Sequence, residues 1–390
     1  MASALRQLVF WATVFVTVPD TTGRELAKLQ YDISTSDITV KMKVADELCD
    51  VMIDTGSTRS LLDVSFRDKL GPVLGRSPTR TSFGYLNIDL YSSPQFELGA
   101  LRVRCDRAVG CVSLVNYQTR PGKRISGVLG MDILRQFVVQ IDPDEQTIAF
   151  LDKTSVPTEQ WGKEVQLGLS DAQIPSVMVR VNDLKPIPFL IDLGDGSTGS
   201  IGYADYKTLV AADTNAVTVV GYRWSAGLAN SAKAVSFRVN SLSVECFEHS
   251  KLVFSVGVQS RLGLDYFMRY TTTFDFPNAK LYLAPGNKFH DYDYSDFDGM
   301  VIFANLIDNK GYLIGVFDQS VAAQVGIRNR DLLLDVDGRV ASELEAISLA
   351  RYLKSTTDRD ISITVERQGQ RLQFTLPRGR RIGRINDEEK

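Results

Sequence analysis

Among the side chains able to do chemistry, two aspartates stand in the same local setting. Asp54 ends the apolar run V-M-I and is followed by Thr55, Gly56 and Ser57; Asp192 ends F-L-I and is followed by Leu193, Gly194 and Asp195. Two carboxylates held a few ångströms apart cannot both ionise cheaply, so they share a proton and titrate as a pair. Such a pair offers a base and an acid together, enough to activate a water and protonate a leaving group without a metal or a covalent nucleophile. Other chemistries are poorly supplied. The chain has two histidines, His249 and His290, and four cysteines, Cys49, Cys105, Cys111 and Cys246, with no C-x-x-C pair. A zinc site, or a serine or cysteine nucleophile activated by histidine, is therefore not expected, and no cofactor is implied. Cys105 and Cys111 are open to two readings, a bridge in an exported chain or buried free thiols.

The two aspartates belong to an internal repeat. Upstream of each, apolar residues alternate: Val40, Met42 and Val44 before one, Val177, Val179 and Val181 before the other. Period two is the mark of half-buried strands. Downstream, G-V-L-G-M-D-I-L at 127–134 is answered by S-R-L-G-L-D-Y-F at 260–267. Then 137–151 and 270–284 each read as strand, turn and strand, with Asp-Pro or Pro-Asn at the bend, which predicts two β-hairpins. From Asp54 to Gly130 is 76 positions and from Asp192 to Gly263 is 71. Three motifs in one order at nearly one spacing describe two copies of one β-rich unit.

Over residues 35–285 this order resembles the aspartic proteases, pepsin-like and retroviral-like: an apolar strand, Asp-Thr-Gly-Ser, a flap-like segment, then two apolar residues and glycine. The resemblance implies a fused, single-chain version of the retroviral-type dimer. Asp54 and Asp192 would be its catalytic pair, hydrolysing peptide bonds in an extended polypeptide, with Thr55, Gly56, Ser57 and Gly194 supporting the two loops. Gly56 and Gly194 would permit the tight turns that expose the aspartates. Val128-Leu129-Gly130 and Arg261-Leu262-Gly263 would pack behind the loops. The second copy departs from the family at Leu193, where a hydroxyl residue helps lock the loops together, and at Asp195, where Ser, Thr or Ala is usual. Ser197 is a substitute donor to Asp192. The flap would be the segment Thr81–Pro94, with Tyr85 positioned to cover substrate.

Beyond residue 288 the pattern changes. K-F-H-D-Y-D-Y-S-D-F-D-G at 288–299 reads as a linker. A strand over 311–317, a short helix over 320–326, a strand over 331–338 closing on Asp-Gly, a helix over 343–354 and a hairpin over 361–376 turning at Gln368-Gly369 follow. This order, with Val325-Gly326-Ile327-Arg328-Asn329-Arg330-Asp331 after the short helix, resembles a PDZ domain of the bacterial protease-associated type. By that resemblance Gly299, Met300, Val301 and Ile302 would cradle the carboxylate of a C-terminal peptide ligand, and the next strand would take an extended peptide by β-augmentation.

The expected fold is thus mainly β: aspartic-protease-like lobes over 24–163 and 164–288, then a small α+β PDZ domain over 289–380 and a tail over 381–390. A catalytically silent, peptide-binding scaffold that kept the protease fold is the rival reading. Residues 1–23 form a candidate signal peptide: Arg6 precedes an apolar run from Leu8 to Val18, too short to span a bilayer, although a small-residue cleavage site is missing. An N-terminal buried strand is the alternative. With 23% charged residues and a net charge of −3, the composition gives no support to a nucleic acid or anionic membrane partner, which would need a concentrated basic face. The basic residues Arg378, Arg380, Arg381 and Arg384 are followed by Asp387, Glu388 and Glu389, a solvated end.

Overall fold

The computed structural model describes residues 24–377 except 36, 82–83, 116–117, 121–122, 171–172, 213–216, 227–230, 292, 294–298, 305–310, 317–319, 345–348, 350–351 and 354–358. The candidate signal peptide, the tail and most of the predicted helix at 343–354 lie outside the described residues.

The alternating residues form strands as their period requires. Val40, Met42 and Val44 are buried in the strand Asp37–Val44, and Val177, Val179 and Val181 in Pro175–Val181, each at 2% exposure or less. Both strands lie in large sheets whose order is the same. In the first half it runs Gly75–Thr81, Gly84–Tyr91, Val109–Val112, Leu61–Asp63, Gly127–Leu129, Glu47–Ile53, Asp37–Val44, Phe96–Leu98, Leu101–Val103. In the second it runs Val217–Ala226, Ser231–Val239, Val253–Gly257, Gly199–Gly202, Arg261–Gly263, Ile187–Asp192, Pro175–Val181, Ser241–Val244, Phe247–Ser250. Parallel and antiparallel pairings match as well: the strand that ends at each aspartate runs parallel to the strand carrying the glycine motif, Ile53 beside Leu129 and Asp192 beside Gly263. The duplication read in the sequence is therefore a duplication of topology.

A third sheet joins the halves. The two predicted hairpins, Val138–Asp142 with Thr147–Leu151 and Tyr270–Asp275 with Lys280–Pro285, lie side by side, Val138 opposite Asp275 and Ile141 opposite Thr272. Each half adds one outer strand, Glu25–Gln30 on one edge and Lys163–Gln166 on the other. One continuous apolar core runs through both halves, from Val40 and Phe96 to Phe254 and Phe274.

The C-terminal unit has a separate core built from Tyr312, Ile314, Val336, Ile361, Ile363 and Val365 with their neighbours. Its sheet runs Met300–Ala304, Tyr312–Val316, Leu332–Val336, Ile361–Arg367, Gln370–Leu376. Asp337-Gly338 and Gln368-Gly369 have positive φ at both positions (51° and 79°, 52° and 77°), the two-residue turn whose twist suits a hairpin. Between the second half and this unit, the segment read as a linker is in its first part docked. Phe289 packs its ring on His249 and Tyr270, Arg269 donates to the carbonyls of Lys288 and Asp291, and Asp293 is buried. The aspartates of this segment look like linker composition, but one of them serves as an acceptor in the second half. No described helix is long and apolar enough to cross a membrane.

Candidate functional site

Asp54 and Asp192 meet at the ends of the strands Glu47–Ile53 and Ile187–Asp192. Each carboxyl lies against the glycine of the opposite loop. A Cβ on Gly56 would stand 2.5 Å from the Asp192 carboxyl carbon, and one on Gly194 would stand 2.6 Å from that of Asp54. Neither glycine has positive φ. Both lie in turns, as expected, closed by Ser57 N–H to the Asp54 carbonyl and Asp195 N–H to the Asp192 carbonyl, and any side chain there would also collide with the facing carboxyl. The two carboxyls are close enough for the charge of Asp192 to raise Asp54.

The first loop is fully braced. The N–H groups of Gly56 and Ser57 donate to Asp54 Oδ1 at 2.7 and 3.1 Å, and Ser57 Oγ donates to the Arg59 carbonyl. Thr55, 1% exposed, spans the interface between halves: its hydroxyl donates to the Ile191 carbonyl at 2.8 Å and accepts from the Leu193 N–H at 3.0 Å. Ser60 closes the loop, its N–H and hydroxyl both donating to Asp132 Oδ1. In the second loop Leu193 is buried in the apolar core and offers no hydroxyl for a reciprocal tie. The substitute donation from Ser197 to Asp192 is also corrected. The Ser197 N–H and hydroxyl donate to Asp195 Oδ1 at 3.0 and 2.6 Å, because a carboxylate two residues upstream is the nearer acceptor. Thr198 donates to Asp293 Oδ2 at 2.7 Å, and the Val253 N–H reaches the same oxygen.

One residue at the site was missed by sequence reasoning. From its place in the strand Arg261–Gly263, Arg261 extends its side chain to an ion pair with Asp192 Oδ2. Its counterpart, Val128, instead fills an apolar layer with Met52, Leu61 and Ile88. The signal was present in the sequence: a charge stands in a slot that the first copy fills with valine.

Burial shapes the charge at the site. Asp54 is raised well above the ordinary carboxylate range by burial, then by the facing Asp192, while the donated N–H of Gly56 opposes the shift. Asp192 is raised by burial and by Asp195, against the opposing pull of Arg261. The pair is therefore set to hold one proton where isolated carboxyls would hold none.

The hairpin Gly75–Thr81 with Gly84–Tyr91 overlaps the flap segment, and Tyr85 on it is 76% exposed. A second hairpin, Val217–Ala226 with Ser231–Val239, holds the equivalent place in the second sheet. The sequence reading did not find it, since no motif marks it. All four cysteines are free; burial pushes the Cys49 and Cys105 thiols up to about 12, and Cys246 is exposed. No cluster of metal-ligating side chains occurs among the described residues.

In the C-terminal unit, Gly299 has φ +71°, while Met300, Val301 and Ile302, expected in a carboxylate-cradling loop, lie in the strand Met300–Ala304, with Met300 opposite Val316 and Ile302 opposite Ile314. This strand ends the sheet, its second edge without a strand partner among the described residues, so it can accept an added strand. Val301 begins its second residue pair, opposite Gly315. The motif after the short helix is built as its residue types require. Asn329 accepts from the Val316 N–H at 2.7 Å, and buried Asp331 accepts from the Arg328 N–H and pairs with Arg367 at 2.6 Å. No curated protein matches the chain. A family profile described as "PDZ domain" matches residues 315–367. This stretch of the C-terminal unit is a PDZ domain, a fold that mediates peptide binding.

Proposed function

We propose that the chain is an aspartic-type endopeptidase, with aspartic-protease-like lobes over 24–163 and 164–288 and a PDZ domain over 289–380 that captures polypeptide tails or regulates access. The observation that carries the reading is the reciprocal fit of Asp54 on Gly194 and Asp192 on Gly56, at the junction of two halves with one strand order. Two carboxyls sharing a proton are equipped for amide hydrolysis. The ionised one takes a proton from water as the water oxygen adds to the peptide carbonyl carbon, and the protonated one gives its proton to the carbonyl oxygen. The resulting gem-diol returns a proton to the second carboxylate while the first protonates the nitrogen. The C–N bond breaks, and the pair is restored with one proton. The two hairpins, one from each half, would close over an extended substrate, with Tyr85 facing it. Export is part of the proposal and rests on Arg6 and the apolar run Leu8–Val18.

The test is incubation with an unstructured protein from about pH 3 to 8, comparing the parent with Asp54→Asn and Asp192→Asn. Each variant should lose activity by orders of magnitude without unfolding, since neither carboxyl alone can make both transfers. Near-parental cleavage by either variant, or cleavage abolished by a chelator, refutes the assignment. The second reading, a silent peptide-binding scaffold, draws on Leu193 and on the Arg261–Asp192 ion pair. An inert parent under every condition favours it.

A further inference from the structure

Arg261 stands where the duplication predicts an apolar residue. In the first half Val128 lies opposite Leu61 and is closed in by Met52 and Ile88. In the second half Arg261 lies opposite Ser200, whose hydroxyl donates to the Gln259 carbonyl. The apolar layer has become a polar slot, and the guanidinium runs along the strand pair from the level of Leu190 to Asp192. Its side chain is only 16% exposed, and its Nε–H is buried with no acceptor among the described residues. An arginine placed only for packing or solubility would not leave a buried donor unpaired, which costs about 1–3 kcal/mol. The ion pair with Asp192 is the charged contact that this buried side chain makes.

We propose that Arg261 is a positioning residue that holds Asp192 as the charged member of the pair. Asp192 then takes the proton from water, and Asp54 supplies the proton to the carbonyl oxygen. The inference rests on the peptidase reading for its chemical meaning, though the charge assignment stands without it. The groups facing the pair are few. Asp192 meets Asp54 from the first half, Arg261 from the adjacent strand and Asp195 from its own loop; Asp54 is further influenced by Asp37. Among these, Arg261 is the one cation, and it touches one carboxyl directly. The duplicated halves would otherwise present two nearly equivalent acids. The ion pair made by Asp192 alone breaks that equivalence, against the two N–H donations to Asp54 Oδ1 that favour its charge, and an ionised Asp192 with a protonated Asp54 leaves the three-residue set without net charge.

The experiment follows both carboxyls in the full chain by carbon NMR of labelled aspartate, assigned with Asp54→Asn and Asp192→Asn, alongside the pH profile of cleavage. Arg261→Met keeps the length of the side chain and removes the charge; Arg261→Lys restores a charge in the same slot. Removing a cation in contact with a carboxylate should raise the lower of the pair's two titrations by about one to three units, and move the acid limb of cleavage up by the same amount. Lys should return part of the shift. A titration unchanged in Arg261→Met, or a Lys variant no closer to the parent than Met, overturns the proposal. If the titration moves as stated and the parent cleaves nothing, the charge assignment stands and the peptidase reading falls. Should Met fail to fold, the parent's own titration decides: Asp54 ionising before Asp192 as pH rises overturns the proposal.

Discussion

Replacing Thr55 by valine tests the tie between the halves. The substitution keeps the shape of the side chain and removes one oxygen. That oxygen makes two bonds across the junction, to the Ile191 carbonyl at 2.8 Å and from the Leu193 N–H at 3.0 Å, in a place where Thr55 and Leu193 are each 1% exposed. Water cannot replace a bond there, so the N–H of Leu193 is left buried and unpaired and the carbonyl loses a donor. At about 1–3 kcal/mol for a buried group left unsatisfied, the two losses together come to about 2–6 kcal/mol, a large part of the roughly 5–15 kcal/mol that holds a folded domain. Tryptophan fluorescence in urea suits the measurement. The three tryptophans are Trp11, Trp161 and Trp224, all before the C-terminal unit, and Trp161 is buried edge-on to Tyr282 beside the sheet shared by the halves. With a slope of about 2–3 kcal/mol per molar urea, Thr55→Val should unfold about 1–2 M earlier than the parent, while Thr55→Ser, which keeps the hydroxyl, should stay near it. Coincident curves for valine and parent refute the claim that this hydroxyl ties the halves.

Acid should weaken the second half through His249. Burial, with Arg269 and His290 nearby, lowers its pKa from 6.5 to about 4; the folded chain keeps it neutral while the unfolded chain takes the proton first. Stability should therefore fall between pH 6.5 and 4 by roughly 3 kcal/mol, and His249→Gln should lack that loss in urea titrations at the two ends of the range. Leu193→Thr with Asp195→Ser should raise cleavage and move its optimum to lower pH: the hydroxyl restores the reciprocal tie, and losing Asp195 removes a charge that raises Asp192. A double variant as inert as the parent at every pH sinks that reasoning. Residues 295–380 expressed alone should fold on their own core and bind peptides through a free C-terminal carboxylate; equal affinity for acid and amide peptides, measured by calorimetry, rules out that mode of capture.

Repetition made part of this molecule legible. Asp54 and Asp192, the paired glycine motifs and the two hairpins recur in order, and each recurrence found its strand. The PDZ residues were legible for another reason: Gly326, Asn329 and Asp331 each answer a local backbone need, so their spacing carries the structure with it. What failed to show depended on contacts between distant parts of the chain. Ser197 turns to Asp195 because of loop geometry that residue types alone do not give. Arg261 was read as one of a packing trio because its neighbours Leu262 and Gly263 fit, while its partner lies 69 positions upstream. The hairpin at 217–239 has no counterpart motif in the first half, and only its place in the sheet order reveals it.

The burial of Asp293 sets a length. Its carboxylate is held by Thr198 and Val253, and its carbonyl accepts from Arg238 at 3.1 Å, so the tether to the PDZ domain starts there. From Asp293 to Gly299 is six peptide steps, a reach of about 20 Å at full extension. Thr198, the point of attachment, belongs to the same loop as Asp192. Under the proposed function, a polypeptide held by the PDZ domain would be confined within that reach of the loop, which raises its effective concentration there. A weak hold on its tail would then suffice to keep the rest of the polypeptide beside the paired carboxyls, and lengthening the tether would dilute it without altering a single contact.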